Sequence, residues 1–300
     1  MSNYSDSAFD ESNRNTSWYK VFTLVPEGTR VLDIGCSSGN FGKVLIDKKH
    51  CAVDGIELDK ADAKIAAKQL GTVWTLNVEY DDLSAIGTDQ YDVIYFGDVI
   101  EHLVQPVQTL QRVRSLLAKD GVVLFSIPNM GHISVRLALL QGDFDYTETG
   151  LLDKTHLHFY TQKEVVRVFE EAGYHLQTLQ FIEKDYPKAL LKDYFKKYGL
   201  TADGDFYKKM QQTDASAFQF IGVAAASKAK HRKLAAFGPI DLFESYFSNT
   251  VKGYESQIVT LKKELSETQE RLALTKEQLE HKSTHPYRAV AGHIKRKLKQ

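Results

Sequence analysis

Residues 31–42 read VLDIGCSSGNFG: a short apolar run ends at Asp33 and Ile34 and passes into a turn in which Gly35 and Gly39 bracket Cys36, Ser37 and Ser38. A glycine-rich turn between a strand and a helix lets backbone approach a ligand closely and leaves helix N-terminal N–H groups facing it. In the dinucleotide version of this turn the spacing is GxGxxG and the N–H groups take a pyrophosphate. Here the spacing is GxxxG and an acid precedes it. A carboxylate at that point repels a pyrophosphate and suits a cation. Glu57 closes the next apolar run, AVDGIEL.

These residues need a scaffold that delivers them to one edge. From Val31 to Pro128, strand-like runs (RVLDI, AVDGIEL, TVWTLN, YDVIYFG, GVVLFSI) alternate with stretches of helical period (FGKVLIDKK, DKADAKIAAKQL, VQPVQTLQRVRSLLAK). Continuous apolar strands separated by helices pair in parallel, with both sheet faces covered. The expected fold is a doubly wound α/β sheet. Asp120-Gly121 is expected to close the helix before GVVLFSI, and Pro128-Asn129 to end that strand. A long polar and aromatic stretch then runs to Thr161, where Thr161-Gln-Lys-Glu164 has the form of a capping box and Gly173 that of a helix stop. YHLQTLQFI and AFQFIGVAAA add two strands outside the parallel run, seven in all, with a helical insertion (YPKALLKDYFKKYG) between them.

Taken in order, these segments resemble a class I S-adenosylmethionine-dependent methyltransferase over residues 17–226. The resemblance implies a seven-stranded Rossmann-like sheet and S-adenosyl-L-methionine as cofactor. VLDIGCSSGNFG is similar to the family's first motif, whose turn, here Gly35, Cys36, Ser37 and Gly39 beside Asp33, holds the methionyl and ribose end. GIELD puts Glu57, followed by Leu58, where the family binds the ribose hydroxyls. TLNVEYDDL has Asn77 where the family commonly has an acid for the adenine amine; its amide oxygen can accept, and Val78 can pack the ring. YDVIYFGDVIEHLVQPVQTLQRVRSLLAKDGVVLFSIPN resembles the family's fourth strand, helix and fifth strand, and brings Gly97 and Asp98 beside the methionine end. Tyr19, in SWYKVFTLV, reads equally as a cover over the cofactor or as core.

The implied reaction is methyl transfer. A methyl on sulfonium is already activated, so the protein has mainly to align an acceptor and exclude water. A hydroxyl acceptor also gains from a base, whereas a phosphate or carboxylate oxygen does not. The candidate bases are His132, after the fifth strand, His156, in DKTHLHFYT, and His102, in DVIEHL; the alternative for each is a structural role. His156 and His158 share a face if LHFY is extended. The stretch 130–160 and the insertion near 185–215 are expected to form a lid over the acceptor.

Composition narrows the partners. Over 300 residues the chain is 43% hydrophobic and 26% charged with a formal net charge of −1, so no global field points to nucleic acid. Cys36 and Cys51 are the only cysteines and form no CxxC or Cys/His cluster, so neither a disulfide nor a metal site is expected, and Cys36 reads as a turn filler. No signal core or membrane span is apparent, and the reading is cytoplasmic. The expected organisation is a flexible N-terminus (1–16), a methyltransferase domain (17–228), a linker (229–250), a coiled coil (251–282) and a basic amphipathic tail (283–300).

The coiled-coil reading rests on Val251, Ile258, Leu265, Leu272 and Leu279 recurring every seven residues, with Tyr254 and Leu261 as companions. It implies self-association or a partner helix, although like-signed Arg271 and Lys276 disfavour an in-register parallel dimer. The tail would touch the inner face of the membrane. Together with the HLHFYT entry to the next helix, this appendage is similar to features of bacterial methyltransferases of cell-surface polysaccharide synthesis. The acceptor that follows is a sugar hydroxyl or terminal phosphate of a lipid-linked glycan. The alternatives are a small-metabolite enzyme of quinone type and a non-catalytic methyltransferase-like scaffold.

Overall fold

The computed structural model describes residues 9–88, 90–184, 186–206, 214–226 and 260–276. The linker 229–250, the tail 283–300 and, from the heptad segment, residues 251–259 and 277–282 lie outside them. The chain divides into two units, Met1–Pro239 and Ile240–Gln300.

In the first unit β1 (Arg30–Ile34), β2 (Ala52–Ile56), β3 (Val73–Trp74), β4 (Tyr91–Gly97), β5 (Leu117–Pro128), β6 (His175–Glu183) and β7 (Ala217–Ala225) form one sheet. Its order is β3-β2-β1-β4-β5-β7-β6. The first five strands are parallel, and β7 runs antiparallel between β5 and β6. The path moves outward from β1 to β3 and then returns to β4 on the other side of β1. Such a switch point opens a crevice at the strands' C-terminal ends. Asp33 and Gly97 reach that crevice from the two adjoining strands.

Alternation along the central strands builds two apolar layers. Val31, Val93, Val122 and Leu124 pack with α1 (Ser17–Leu24), α2 (Asn40–Lys49) and α3 (Lys60–Ala66) through Val21, Leu24, Phe41, Leu45 and Ala66. Leu32, Ile94, Phe96, Val123 and Phe125 pack with α4 (Pro106–Val113) and α6 (Gln162–Glu171) through Leu110, Val113, Val165 and Phe169. Asp33 takes the place on β1 where the period of two puts an apolar side chain on the α1–α2 face. A third, smaller cluster joins α5 (Ile133–Gln141) to α7 (Lys188–Lys197) through Ile133, Leu137, Leu191 and Phe195.

Several local expectations change. Asp120, at a φ of 68°, and Gly121 do not close a helix; they lie inside β5, where the register against β4 shifts. The helix has already ended at a 3₁₀ turn, Arg114–Leu116. Thr161 is the N-cap of α6 but makes no side-chain cap bond. Its expected reciprocal partner Glu164 instead accepts from Arg167 at 2.6 Å. TVWTLN is a strand only over Val73–Trp74, because the Asn77 N–H is taken by the Asp81 carboxylate at 2.7 Å and the chain turns. In the second unit, 260–276 is a helix, α8, in which every residue is exposed.

Packing across β5 and β7 is tight at one glycine. A Cβ added to Gly222 would sit 2.1 Å from the Phe125 ring, which itself stacks on Phe169 at 4.3 Å. Gly222→Ala is expected to destabilise the chain by ~1–3 kcal/mol in urea unfolding. Phe125→Leu in the same chain should recover part of that loss, giving a negative coupling in the double-mutant cycle.

Candidate functional site

The turn after β1 is built by geometry that few residues accept. Gly35 has a φ of 70°, and a Cβ there would meet the Val99 side chain at 2.7 Å. Ser37 takes a φ of 47°, which few non-glycine residues adopt, and its N–H then donates to Glu57 Oε2 at 2.8 Å. The other Glu57 oxygen accepts from the Asp59 N–H at 2.8 Å. Glu57 thus ties the end of β2 to the turn after β1. Asp59 in turn caps α3 by accepting from the N–H groups of Ala61 and Asp62.

A cavity of about 480 Å³ opens here. Asp33, Gly35, Cys36, Ser37, Glu57, Gly97 and Asp98 all line it. Of the other expected cofactor contacts, Gly39 lies beneath the turn as the N-cap of α2, where a Cβ would come within 3.1 Å of the Ala66 backbone. Leu58 is 64% exposed beside the cavity mouth and Val78 is buried in the core behind it. Asn77 spends its side-chain oxygen on the Glu79 N–H at 2.8 Å. None of these four is among the lining residues.

Trp18, one residue before Tyr19, covers this cavity and leans on Phe41, which in turn touches Tyr95. The aromatic cover was legible in SWYKVFTLV only to within a residue, because helical phase decides which ring faces inward. Thr155, Lys154 and Glu148, from the loop after α5, complete the wall.

Electrostatically the cavity is one-sided. Burial, followed by the neighbouring Glu57 carboxylate, pushes Asp33 up to about 8. Both influences oppose its charge, and a cation seated beside it relieves both. Burial, then Asp33, raises the Cys36 thiol well above its usual value, so it stays protonated as a turn filler.

A second cavity, of about 540 Å³, adjoins the first and shares Trp18 and Asp98 with it. Phe9, Asn13, Thr16, Ser17, Lys184, Phe218 and Gln219 line it, with Thr149, Gly150 and His156 from the same loop. Among the described residues none of the 185–215 insertion is in its wall, so α7 is not part of the lid that was expected. It packs against α5 instead.

The three candidate histidines separate. His132 is 2% exposed and lines neither cavity. It caps α5: Nδ1 accepts from the Ser134 N–H, and Nε2 donates to the Lys184 carbonyl at 2.9 Å. With both nitrogens engaged and burial lowering its pKa, His132 is a structural cap rather than the expected base. His102 and His156 meet at the junction of the two cavities, their ring centroids 4.9 Å apart. LHFY forms no regular strand, so no strand face pairs His156 with His158; His156 is buried and His158 half-buried.

Glu101 joins the two histidines and was not anticipated. It is 1% exposed, and neither carboxylate oxygen has a hydrogen-bond partner. Burial, then Asp98, raises its pKa well above the usual range. Its signal in the sequence is an acid flanked by Val99, Ile100 and Leu103, in a segment that otherwise goes to the core. Glu101, His102 and His156 bring three potential ligand atoms within 4.8 Å of one another. That grouping departs from the expectation of no metal site.

Residues 12–179 match the family model of a methyltransferase domain. The ubiquinone biosynthesis O-methyltransferase of Bordetella avium (strain 197N) is 26% identical over 161 residues, covering 52% of this chain and 66% of that protein. The enzyme of the same name from Cereibacter sphaeroides (strain ATCC 17029 / ATH 2.4.9) is 28% identical over 152 residues, 49% of this chain and 60% of that one. The chain thus spans less than two thirds of the length of these curated relatives. A solved S-adenosylmethionine-dependent methyltransferase from Archaeoglobus fulgidus shares the fold, with a TM-score of 0.50 at 15% identity over 72% of this chain and 94% of that one. The chain belongs to the class I S-adenosylmethionine-dependent methyltransferases, and its cofactor is S-adenosyl-L-methionine.

The cavity beside the first turn fits that cofactor: its glycine leaves no room for a Cβ, and among the described residues no cation acts on its buried acid. The pH dependence of binding follows. A cation selects the ionised Asp33, so the affinity for S-adenosylmethionine in calorimetry should fall up to ~10-fold per pH unit below about 8. Asp33→Asn should bind weakly at every pH and lose that slope. In the ligand-free protein the sign reverses. The folded chain keeps a proton that the unfolded chain releases near pH ~4, so stability declines as pH rises from there to about 8.

Proposed function

We propose that this chain is an O-methyltransferase whose acceptor hydroxyl enters the second cavity and meets the cofactor across Asp98 and Trp18. The observation that carries this reading is the contact between the two cavities, with Glu101, His102 and His156 at their junction. The cofactor supplies an electrophilic methyl group. Asp33, Gly35 and Glu57 would hold it, Trp18 would cover it, and the junction cluster would help the acceptor's hydroxyl lose its proton. A hydroxyl acceptor needs such a group, whereas a phosphate or carboxylate does not.

The favoured acceptor is a sugar hydroxyl of a glycan or lipid-linked saccharide. Asn13, Thr16, Ser17 and Gln219 offer several short polar groups, and Trp18 and Phe218 offer ring faces. That mixture suits a polyhydroxylated ring, which needs both hydrogen bonds and an apolar face. The second reading is a quinone-type phenol, favoured by the names of the curated relatives.

The appendage belongs to the same reading. Leu261, Leu265 and Leu272 on α8 are each more than half exposed, which supports a heptad seam that awaits another helix. Among the described residues no helix is long and apolar enough to cross a membrane. We assign the basic 283–300 segment to the inner leaflet surface.

Two measurements test these assignments. Tritiated methyl from the cofactor should appear on an oxygen of a saccharide fraction from cell envelopes; label confined to phenolic lipids would favour the second reading. Absence of cofactor binding in calorimetry would defeat both in favour of a scaffold. In sedimentation, Leu265→Asp with Leu272→Asp should convert an associated chain to monomer, leaving cofactor affinity unchanged within about twofold.

A further inference from the structure

We propose that Glu101, His102 and His156 form a site for a divalent transition-metal ion, and that this ion binds the acceptor through a pair of adjacent oxygen atoms. The binding stands on the cluster's own geometry; the acceptor role rests on the O-methylation reading above.

Three independent features converge. First, Glu101 is buried and neither of its oxygens has a hydrogen-bond partner. A buried carboxylate without a partner is unfavourable, and an unseen ion is one of few physical explanations for it. Second, both imidazoles are oriented as metal ligands are. His102 Nδ1 lies 3.1 Å from the Thr155 carbonyl, to which it can donate, which leaves Nε2 free. The His156 ring is held by the backbone of Leu151, and its Nε2 faces Glu101 Oε1 at 4.0 Å. Backbone acceptors on the far ring nitrogen fix the tautomer that ligates metal. Third, the scaffold around the cluster is pinned independently of any ion. The Glu101 carbonyl accepts from the N–H groups of Leu157 and His158, and Asp153 accepts from the Thr155 N–H and hydroxyl.

Metal–ligand bonds are about 2.0–2.2 Å long, so an ion would draw the three donors inward from their present spacing of up to 4.8 Å. Two imidazoles and one carboxylate suit manganese, iron, cobalt, nickel or zinc better than magnesium or calcium, which prefer all-oxygen shells. Three protein ligands leave coordination positions open, the pattern of catalytic rather than structural sites.

Glu101 and His156 line the acceptor cavity while His102 lines the cofactor cavity, so the open positions lie between the two. Adjacent open positions favour a chelating acceptor, a vicinal diol or a catechol. Coordination lowers the acidity constant's exponent for one hydroxyl, whose proton leaves to solvent. That oxygen then forms the bond to the methyl carbon, as the carbon–sulfur bond breaks with its electron pair remaining on sulfur.

The test uses the full chain stripped with chelator and dialysed. Calorimetry with manganese chloride should show one saturable site, and Glu101→Gln and His156→Asn should each weaken it at least tenfold. Glu101→Gln keeps the shape and cannot ionise, so without metal it should melt no lower than the parent. The parent alone should gain thermal stability when manganese is added. The stripped enzyme should methylate a vicinal-diol glycoside only when metal is restored, and its monodeoxy analogue poorly in either state. No saturable binding by the parent, or unaltered binding by both variants, overturns the proposal. Full methylation by the metal-free enzyme overturns the acceptor role while leaving O-methylation intact. A bound metal with no methylated oxygen would sink the O-methylation reading and keep the site.

Discussion

Carboxyl groups buried with no lysine or arginine acting on them are the constraint around which this molecule is arranged. Asp33, Asp98 and Glu101 stand at the C-terminal end of the sheet, and burial is the foremost influence opposing the charge of each. No lysine or arginine figures among the groups that act on them. A fold tolerates such a cluster only where ligands complete it, since an isolated buried carboxylate is strongly disfavoured. The apolar layers on both sides of the sheet make that burial possible. The switch point between β1 and β4 gives the acids a crevice to face.

The backbone around the crevice is committed to the same end. Asp98 adopts a φ of 54° and Ser37 one of 47°, left-handed conformations that cost free energy for side chains with a Cβ. In each case the return is a hydrogen bond at the site. The Ser37 N–H reaches Glu57, and the Asp98 N–H reaches the Ser126 hydroxyl at 3.0 Å. Such strain persists only where surrounding structure over-determines it, and β1 and β4, buried on both faces, supply that rigidity.

The legibility of the sequence follows from the range of the interactions involved. RVLDI and YDVIYFG are observed as strands with the bounds read from the sequence, because both are buried on two faces and their composition alone specifies them. The glycine turn was legible too, since Asp33, Gly35 and Glu57 lie within one strand–helix–strand unit. Thr161 and Glu164 show the opposite case: the motif is present, but Arg167 competes for the carboxylate. His132 misled because a histidine just beyond a strand end can serve as a cap as well as a base, and only the Lys184 carbonyl decides between them. The Glu101 cluster was invisible for a simpler reason. His156 is brought to it by an irregular loop whose path no periodicity encodes.

That loop also sets how the two cavities communicate. Glu148, Asp153, Lys154 and Thr155 line the cofactor cavity, whereas Thr149, Gly150 and His156 line its neighbour. One short segment therefore contributes to both walls. Its anchors include the bridge between Thr147 and Asp153, the two N–H groups bonded to Glu101, and the bridge between Asn129 and Tyr160 at its base. The Phe144–Phe159 contact joins the start of the loop to its end. A cofactor seated against Thr155 would therefore fix the residue that orients His102 before an acceptor arrives. Binding in that order would assemble the junction cluster on the side where the acceptor has still to enter.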